Sequence, residues 1–317
     1  MPTDPELLPP AAAYPPTAPL VSPEAAVFND ADGTLPPARS SCVIPNFGHT
    51  LLFLGMVIFS LLLTGLVLSG LLRRLPWASH ESLQQMQSDP RIVIPLEVAM
   101  YALAALLAYL IFPRIWRRPF FSAIRWNATA VRRRWKLLAV TGFLLSIVIQ
   151  LLSNYLPMPK SLPIDKFFQN PLGVWLIAIF GITVAPAFEE LAFRGFLLPS
   201  LANAWEYLAR VRYRSLSPAP FPGPSEAGAD PPWSAPALVF ATVLTSIAFA
   251  LLHADQLAHA WMPLLVLFCV SIVLCLVRLR TRSLAASAFV HALYNATIFF
   301  LLFVGTSGFR HLDKIGS

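Results

Sequence analysis

The 317-residue chain is 56% hydrophobic and only 12% charged. Soluble domains carry about 25% charged residues, and half that value leaves too few charges to cover a water-facing surface. The composition therefore all but excludes a soluble globular protein, and it excludes a disordered one, which needs low hydrophobicity and high charge. This composition is typical of a polytopic membrane protein. The formal net charge of +7 then indicates basic cytoplasmic loops rather than binding to nucleic acid.

The first 47 residues differ in composition from the rest of the chain. They hold eleven of the 30 prolines and a single basic residue, Arg39. The segment lacks the basic and apolar regions of a signal peptide, and its proline content is typical of a partly extended chain. We expect residues 1–47 to form a disordered tail, and we assign it no function.

Seven apolar stretches follow this tail, and most reach the roughly 20 residues that a membrane-spanning helix needs. They are Thr50–Leu72, Ile92–Phe112, Leu137–Leu156, Pro171–Leu198, Pro236–His253, Trp261–Val277 and Ser283–Val304. We expect Pro199 to end the long fourth stretch. Since only helices and closed barrels span membranes, stretches of this length predict an all-α fold, a polytopic transmembrane helical bundle.

The positions of lysine and arginine indicate how the bundle is oriented. The connection 114–136 carries eight of them and no acidic residue, which is typical of a cytoplasmic loop. With seven spans, fifteen basic residues lie on the cytoplasmic side and seven on the other. An eighth crossing through residues 195–208 would move two arginine clusters outside, so the basic residues favour seven spans over eight.

These features divide the chain into four parts. Residues 48–170 contain the first three spans and the basic cytoplasmic loop, and residues 171–304 form a membrane core that carries the candidate chemistry. A segment rich in proline, glycine and alanine interrupts this core at residues 209–235, and residues 305–317 form a C-terminal tail. We expect the insertion to be a flexible cytoplasmic loop without chemistry of its own.

Two glutamates and an arginine lie inside the fourth stretch, where a charge costs at least ~3 kcal/mol. Glu190 and Arg194 are four residues apart, so they share a helix face and can pair. Glu189 projects about 100° away and is free to face a cavity. We predict that Glu190 is structural and Glu189 chemical; an ion pair that only packs helices together is the alternative. Glu97, near the start of its span, is assigned to the membrane interface.

Two further polar sites lie in later spans. His253 ends the fifth stretch, and His291 and Asn295 are four residues apart on one face of the seventh. At 1.5 Å per residue, Glu189 and His291 lie ~15 and ~13 Å from the cytoplasmic side. His253 lies ~25 Å from it, unless the first turns of its helix project into the cytosol or the helix tilts. We predict that these side chains line one cavity open to the cytoplasm.

Such a set of side chains predicts hydrolysis. A carboxylate beside a histidine can take a proton from water and direct hydroxide at a carbonyl carbon. A second histidine and an asparagine amide can donate hydrogen bonds to the resulting oxyanion. Glu189, His253 and His291 could instead bind zinc, although the H-E-x-x-H motif is absent. A serine nucleophile in a G-x-S-x-G turn is also absent.

At three sites the chain resembles the CPBP family of intramembrane proteases, also called the CAAX prenyl protease 2, Rce1-like or Abi family. The family pattern is E-E-x-x-x-R, then F-x-x-x-H, then H-x-x-x-N or D. Here these motifs stand as Glu189-Glu190…Arg194, Phe249…His253 and His291…Asn295, in that order. The resemblance covers residues 171–304, and the long insertion between the first two motifs departs from the family pattern.

The resemblance implies a glutamate-dependent endopeptidase. Glu189 would activate water with His253, Glu190 and Arg194 would organise the helix, and His291 with Asn295 would hold the oxyanion. It also implies a lipidated or transmembrane peptide substrate, such as a prenylated C-terminal CAAX protein. The family was once described as metalloproteases, but this mechanism needs no cofactor. Family members are usually drawn with eight spans, which argues against the prediction of seven spans for this chain.

The same residues are compatible with other classes of function. A transporter could use the intramembrane charges for proton coupling, and an immunity or scaffold protein could use them for helix packing. For any of these we expect the lipid bilayer as a partner and no nucleic acid. The missing targeting peptide and the long tail fit a bacterial inner membrane protein, and an organelle membrane stays open as the alternative.

Overall fold

The computed structural model describes residues 45–72, 74, 89–157, 159, 162–169, 171–216 and 233–312. The predicted tail up to residue 44, the centre of the predicted insertion and residues 313–317 lie outside this part of the chain. Within the described ranges the regular elements are all helices, and seven helical segments are long and apolar enough to cross a membrane. The predicted all-α transmembrane bundle is confirmed.

We number the longer helices in chain order. They are α1 (Phe47–Leu72), α2 (Pro90–Trp116), α3 (Ala128–Ser153), α4 (Pro171–Ile182), α5 (Val184–Glu190), α6 (Leu198–Leu216), α7 (Ala235–Leu252), α8 (Trp261–Thr281) and α9 (Leu284–Gly305). A π-helical segment, Leu191–Leu197, joins α5 to α6. Helix α6 thus continues to Leu216, which lies within the predicted insertion.

The fourth span is one helical run with two irregularities. Thr183, with φ −112° and ψ −72°, separates α4 from α5. The expectation that Pro199 ends the run is wrong, because α6 continues through this proline. A proline ring clashes with the carbonyl of the preceding turn in a regular α-helix. The wider π turn directly before α6 changes that spacing, and such turns are frequent at functional sites.

Contacts at its two ends show that this run crosses the bundle once. Near its start, the ring of Trp175 packs against Phe309, just beyond the end of α9, with ring centroids 5.1 Å apart. Near its end, Ser200 Oγ lies 2.7 Å from Thr50 Oγ1, in the first turn of α1. A return crossing through residues 195–208 would separate these partners, so the described helices agree with seven spans rather than eight.

The first turns of α7 lie beside the same end of α6. Trp233 Nε1 donates to Asn203 Oδ1 at 2.7 Å, and the Ser234 backbone N–H donates to Glu206 Oε1 at 2.6 Å. Glu206 lies six residues beyond Ser200, so α7 starts about 9 Å past the level of the first turn of α1. From there α7 runs into the bundle, antiparallel to α6.

The last helix is fixed by its closest neighbour, α3. An added Cβ on Gly142 would lie 2.9 Å from the Val290 carbonyl oxygen and 2.9 Å from Leu293 Cβ, so only glycine allows this approach. At the start of α9, Ser283 Oγ donates to the Asn127 carbonyl oxygen at 2.8 Å. These two contacts set the position of the α9 segment that carries His291.

Candidate active site

A buried carboxylate network lies at the junction of α5 and the π-helical segment. Glu190 Oε1 accepts from Arg194 Nη1 at 2.8 Å and from His291 Nδ1 at 3.1 Å. Glu190 Oε2 accepts from Ser287 Oγ, and the side chains of Glu190 and Arg194 are both fully buried. The predicted i, i+4 pair is confirmed, and it is extended by two partners on α9.

Arg194 connects this network to α8. Its Nη2 atom donates to Ser271 Oγ at 2.6 Å and to the Ser271 carbonyl oxygen at 3.0 Å. The guanidinium carbon also lies 4.8 Å from the ring centroid of Phe249, on α7, which is a cation–π distance. One ion pair thus holds together α5, α8, α9 and the end of α7.

Glu189 projects away from this pair and faces two histidines. Its Oε1 atom lies 3.9 Å from His253 Nε2, and its Oε2 atom lies 3.8 Å from His291 Nε2. The side chains are 13%, 18% and 5% exposed for Glu189, His253 and His291. The three residues therefore share one small, mostly buried space, as the sequence predicts.

The other nitrogen of each histidine determines what its Nε2 atom can do. His253 Nδ1 lies 2.8 Å from the Phe249 carbonyl oxygen, and His291 Nδ1 faces the Glu190 carboxylate. Both of these oxygens accept, so each Nδ1 carries a proton; when a ring is neutral, its Nε2 lone pair then faces Glu189. In this state His291 cannot donate to an oxyanion; that role requires a second proton on the ring.

The spacing around Glu189 suits a water molecule. Separations of 3.8 and 3.9 Å are too long for direct hydrogen bonds, whereas a water about 2.8 Å from each atom can bridge them. Two imidazoles with anchored Nδ1 atoms and a carboxylate are also donor types that zinc takes. In the described part of the chain, however, no group of three or more His, Cys, Asp or Glu side chains has the geometry to hold a metal ion.

Asn295 lies one helical turn beyond His291 and contacts the break in the fourth span. Its Nδ2 atom donates to the Gly181 carbonyl oxygen at 2.6 Å. This carbonyl lies at the end of α4, where Thr183 interrupts the helix. One amide N–H is thereby committed to holding α4 against α9, and the second one is left for a ligand.

Helix α2 contributes residues that the motifs do not identify. The Tyr101 ring stacks on Phe188, the residue before Glu189, with ring centroids 4.0 Å apart. Glu97 lies one turn earlier on the same helix, is half-buried, and shares the helix face of Tyr101. The sequence assigns Glu97 to the membrane interface, whereas the structure places it near the candidate site. Its four-residue spacing from Tyr101 is the local signal of a shared face.

The fold and the site define a polytopic membrane protein with a carboxylate and two histidines within its helical bundle. Residues 171–297 match the family model described as type II CAAX prenyl endopeptidase, Rce1-like. This matched membrane core is similar to the Rce1-like family, and the family resemblance carried by the three motifs is confirmed. Neither the curated proteins nor the solved structures contain a match to the chain.

Proposed function

We propose that this protein is an intramembrane endopeptidase that hydrolyses a peptide bond with a water molecule activated by Glu189. One observation carries the proposal: each carboxylate oxygen of Glu189 faces the Nε2 atom of a histidine whose Nδ1 proton is already engaged. When both rings are neutral, a water in this space can meet three proton acceptors, the Glu189 carboxylate and the two Nε2 atoms. That arrangement suits the removal of a proton from water.

The reaction uses these groups in order. Glu189 takes a proton from the water while the oxygen attacks the scissile carbonyl carbon, which gives a tetrahedral oxyanion. That proton then passes to the leaving amine, with His253 as the relay, and the C–N bond breaks. The products are an amine and a carboxylic acid, which releases the second proton of the water to solvent and leaves as a carboxylate; no covalent enzyme intermediate forms.

The oxyanion is held by His291 and Asn295 in this scheme. A proton taken up from solvent on His291 Nε2 before the attack turns the ring into a donor, and the adjacent Glu190 carboxylate stabilises the imidazolium. The second amide N–H of Asn295 supplies another hydrogen bond. Arg194 offsets the charge of Glu190. In this scheme Glu190 therefore keeps its structural role, and Glu189 is the carboxylate that activates water.

The family and the site's position within the bundle support a proposal for the substrate class. The family name implies a CAAX-type substrate, from which the residues after a prenylated cysteine are removed. We propose a membrane-associated peptide of this kind, cleaved without a cofactor by a protein of a bacterial inner membrane. The basic loops would face the cytoplasm, with the site open to that side.

Mapping cleavage sites on a peptide panel tests the proposal. The panel pairs farnesylated CAAX peptides with unprenylated copies, and the enzyme is purified in detergent as wild type and Glu189→Ala. We expect cleavage on the carboxyl side of the prenylated cysteine by wild type only. Loss of activity with a chelator and recovery with zinc would support the metal alternative. Cleavage by neither protein, with ion-coupled uptake that depends on Glu189, would support a transporter.

A further inference from the structure

A groove opens at the end of α2, where the chain turns toward α3. It lies between Tyr109 and Pro113 on α2 and the short helical turn Phe120–Ala123, and its volume is about 440 Å³. This volume falls within the range of roughly 300–1,000 Å³ that sites for small molecules occupy. The lining residues all lie between positions 109 and 121, so the groove is distinct from the candidate active site.

Three aromatic rings form the apolar wall of the groove. The centroid of the Tyr109 ring lies 6.0 Å from that of Phe120 and 5.9 Å from that of Phe121, and the two phenylalanine rings lie 5.7 Å apart. Tyr109 and Phe121 are half-exposed, whereas Phe120 is buried in the core. Exposed aromatic rings at the end of a span are typical of the level of the lipid headgroups. The wall therefore offers an acyl chain an aromatic surface at the membrane interface.

Arg114 forms the polar side of the groove. Its guanidinium group donates to the Leu110 carbonyl oxygen, so the side chain folds back along α2 beside the aromatic wall. The connection 114–136 carries eight lysines and arginines and no acidic residue. No carboxylate of this connection therefore competes with an external anion for the guanidinium group.

Pro113 adds a hydrogen-bond acceptor at the same level. Because proline has no N–H, the Tyr109 carbonyl oxygen, four residues earlier, lacks the donor that a regular helix would supply. One turn of α2 thus presents a cation and a main-chain acceptor next to an aromatic wall. A phosphate, a headgroup hydroxyl and an acyl chain have the chemistry to match these three features.

We propose that this groove binds an anionic phospholipid of the surrounding bilayer, with its phosphate on Arg114 and an acyl chain along Tyr109 and Phe121. Arg117 and Arg118, just beyond α2, add positive charge at the headgroup level. Basic pockets beside membrane helices select anionic headgroups. A zwitterionic lipid is disfavoured, because its ammonium group would meet the same basic connection.

Lipid binding to the purified full-length protein in detergent tests the inference. Native mass spectrometry gives the Kd for dioleoylphosphatidylglycerol, which is anionic, and for dioleoylphosphatidylcholine, which is zwitterionic. We expect wild type to prefer the anionic lipid. Arg114→Gln should lower this preference about fivefold, the contribution of one arginine near an anionic surface, and Arg114→Lys should keep most of it. Arg132→Gln, at an exposed position on α3 outside the groove, changes the net charge equally and should keep the wild-type preference.

The two arginine variants separate a defined site from the general attraction of a basic surface. Equal losses of preference in Arg114→Gln and Arg132→Gln would overturn the proposal, and so would equal affinities of wild type for the two lipids. Phe121→Ala, at a half-exposed ring, should weaken the binding of both lipids, and an unchanged Kd would contradict the position of the acyl chain. Thermal unfolding without added lipid checks that each variant is folded. These measurements do not involve peptide cleavage, so their outcome is independent of the proposed endopeptidase function.

Discussion

His291 Nδ1 lies 3.1 Å from Glu190 Oε1, so the carboxylate that pairs with Arg194 also fixes the histidine that faces Glu189. This contact links Glu190 to the histidine that faces Glu189, the residue that we propose acts on water. It gives adjacent glutamates different environments: one is fully buried and bonded to three partners, and the other is open to a shared space with two histidines.

Replacing Glu190 should affect both folding and catalysis. Glu190→Ala leaves Arg194 buried without its anion, which typically costs about 3–5 kcal/mol. The double variant Glu190→Gln, Arg194→Met removes both charges, and we expect it to regain most of the unfolding temperature. It should not regain activity, because His291 loses the carboxylate that orients and stabilises its ring. Thermal unfolding and kcat on the farnesylated peptide measure the two effects. A double variant with wild-type kcat would contradict the orienting role.

The close approach of α3 to α9 should be sensitive to one methyl group. Gly142→Ala places a Cβ 2.9 Å from the Val290 carbonyl oxygen, so the two helices must move apart. We expect a loss of about 1–3 kcal/mol in stability and a lower kcat, since the His291 segment moves with α9. Gly55→Ala in α1 is the matched control, because an added Cβ there meets nothing within 4 Å. Equal unfolding temperatures for the two variants would show that this contact is not tight.

Asn295 is predicted to serve two purposes through its two amide hydrogens. Asn295→Leu keeps the approximate volume but removes the bond to the Gly181 carbonyl and the donor to the oxyanion. We expect kcat to fall about 10²-fold, as for a single oxyanion-hole donor, and the unfolding temperature to fall as well. Thr297→Val, two residues along α9, removes only a hydrogen bond within the helix and is the control. Lower stability with unchanged kcat in Asn295→Leu would limit Asn295 to packing.

The start of α2 should respond to acid. Asp89 caps this helix and accepts from the Arg91 side chain, and this interaction lowers the pKa of Asp89 below its ordinary value. A lowered pKa in the folded state stabilises the fold above the unfolded-state pKa of about 3.9, and this contribution is lost as the pH falls through the folded-state pKa. The unfolding temperature of Asp89→Asn should therefore be lower than that of wild type at pH 6, and the difference should shrink below about pH 4. A difference that is constant with pH would contradict this.

Features set by local sequence could be predicted, and features set by distant contacts could not. Long apolar runs give the seven spans, and the i, i+4 spacing gives the Glu190–Arg194 pair. Ser271 and Ser287 are single serines in apolar helices, and nothing near them in sequence marks them as partners of that pair. The continuation of the helix through Pro199 depends on a π turn, which residue propensities do not indicate. The position of Glu97 near the candidate site could not be predicted, because it depends on the stacking of Tyr101 on Phe188. That contact joins helices that are far apart in sequence.

Comparing wild type with Glu189→Gln on the farnesylated CAAX peptide tests the central claim most directly. This change keeps the size of the side chain and removes the proton acceptor, while the Glu190–Arg194 network stays intact. Unchanged thermal unfolding would show that the variant is folded. We predict that kcat falls about 10³-fold or more, because the general base is lost. A Glu189→Gln protein that cleaves the peptide within tenfold of the wild-type rate would contradict glutamate-activated hydrolysis.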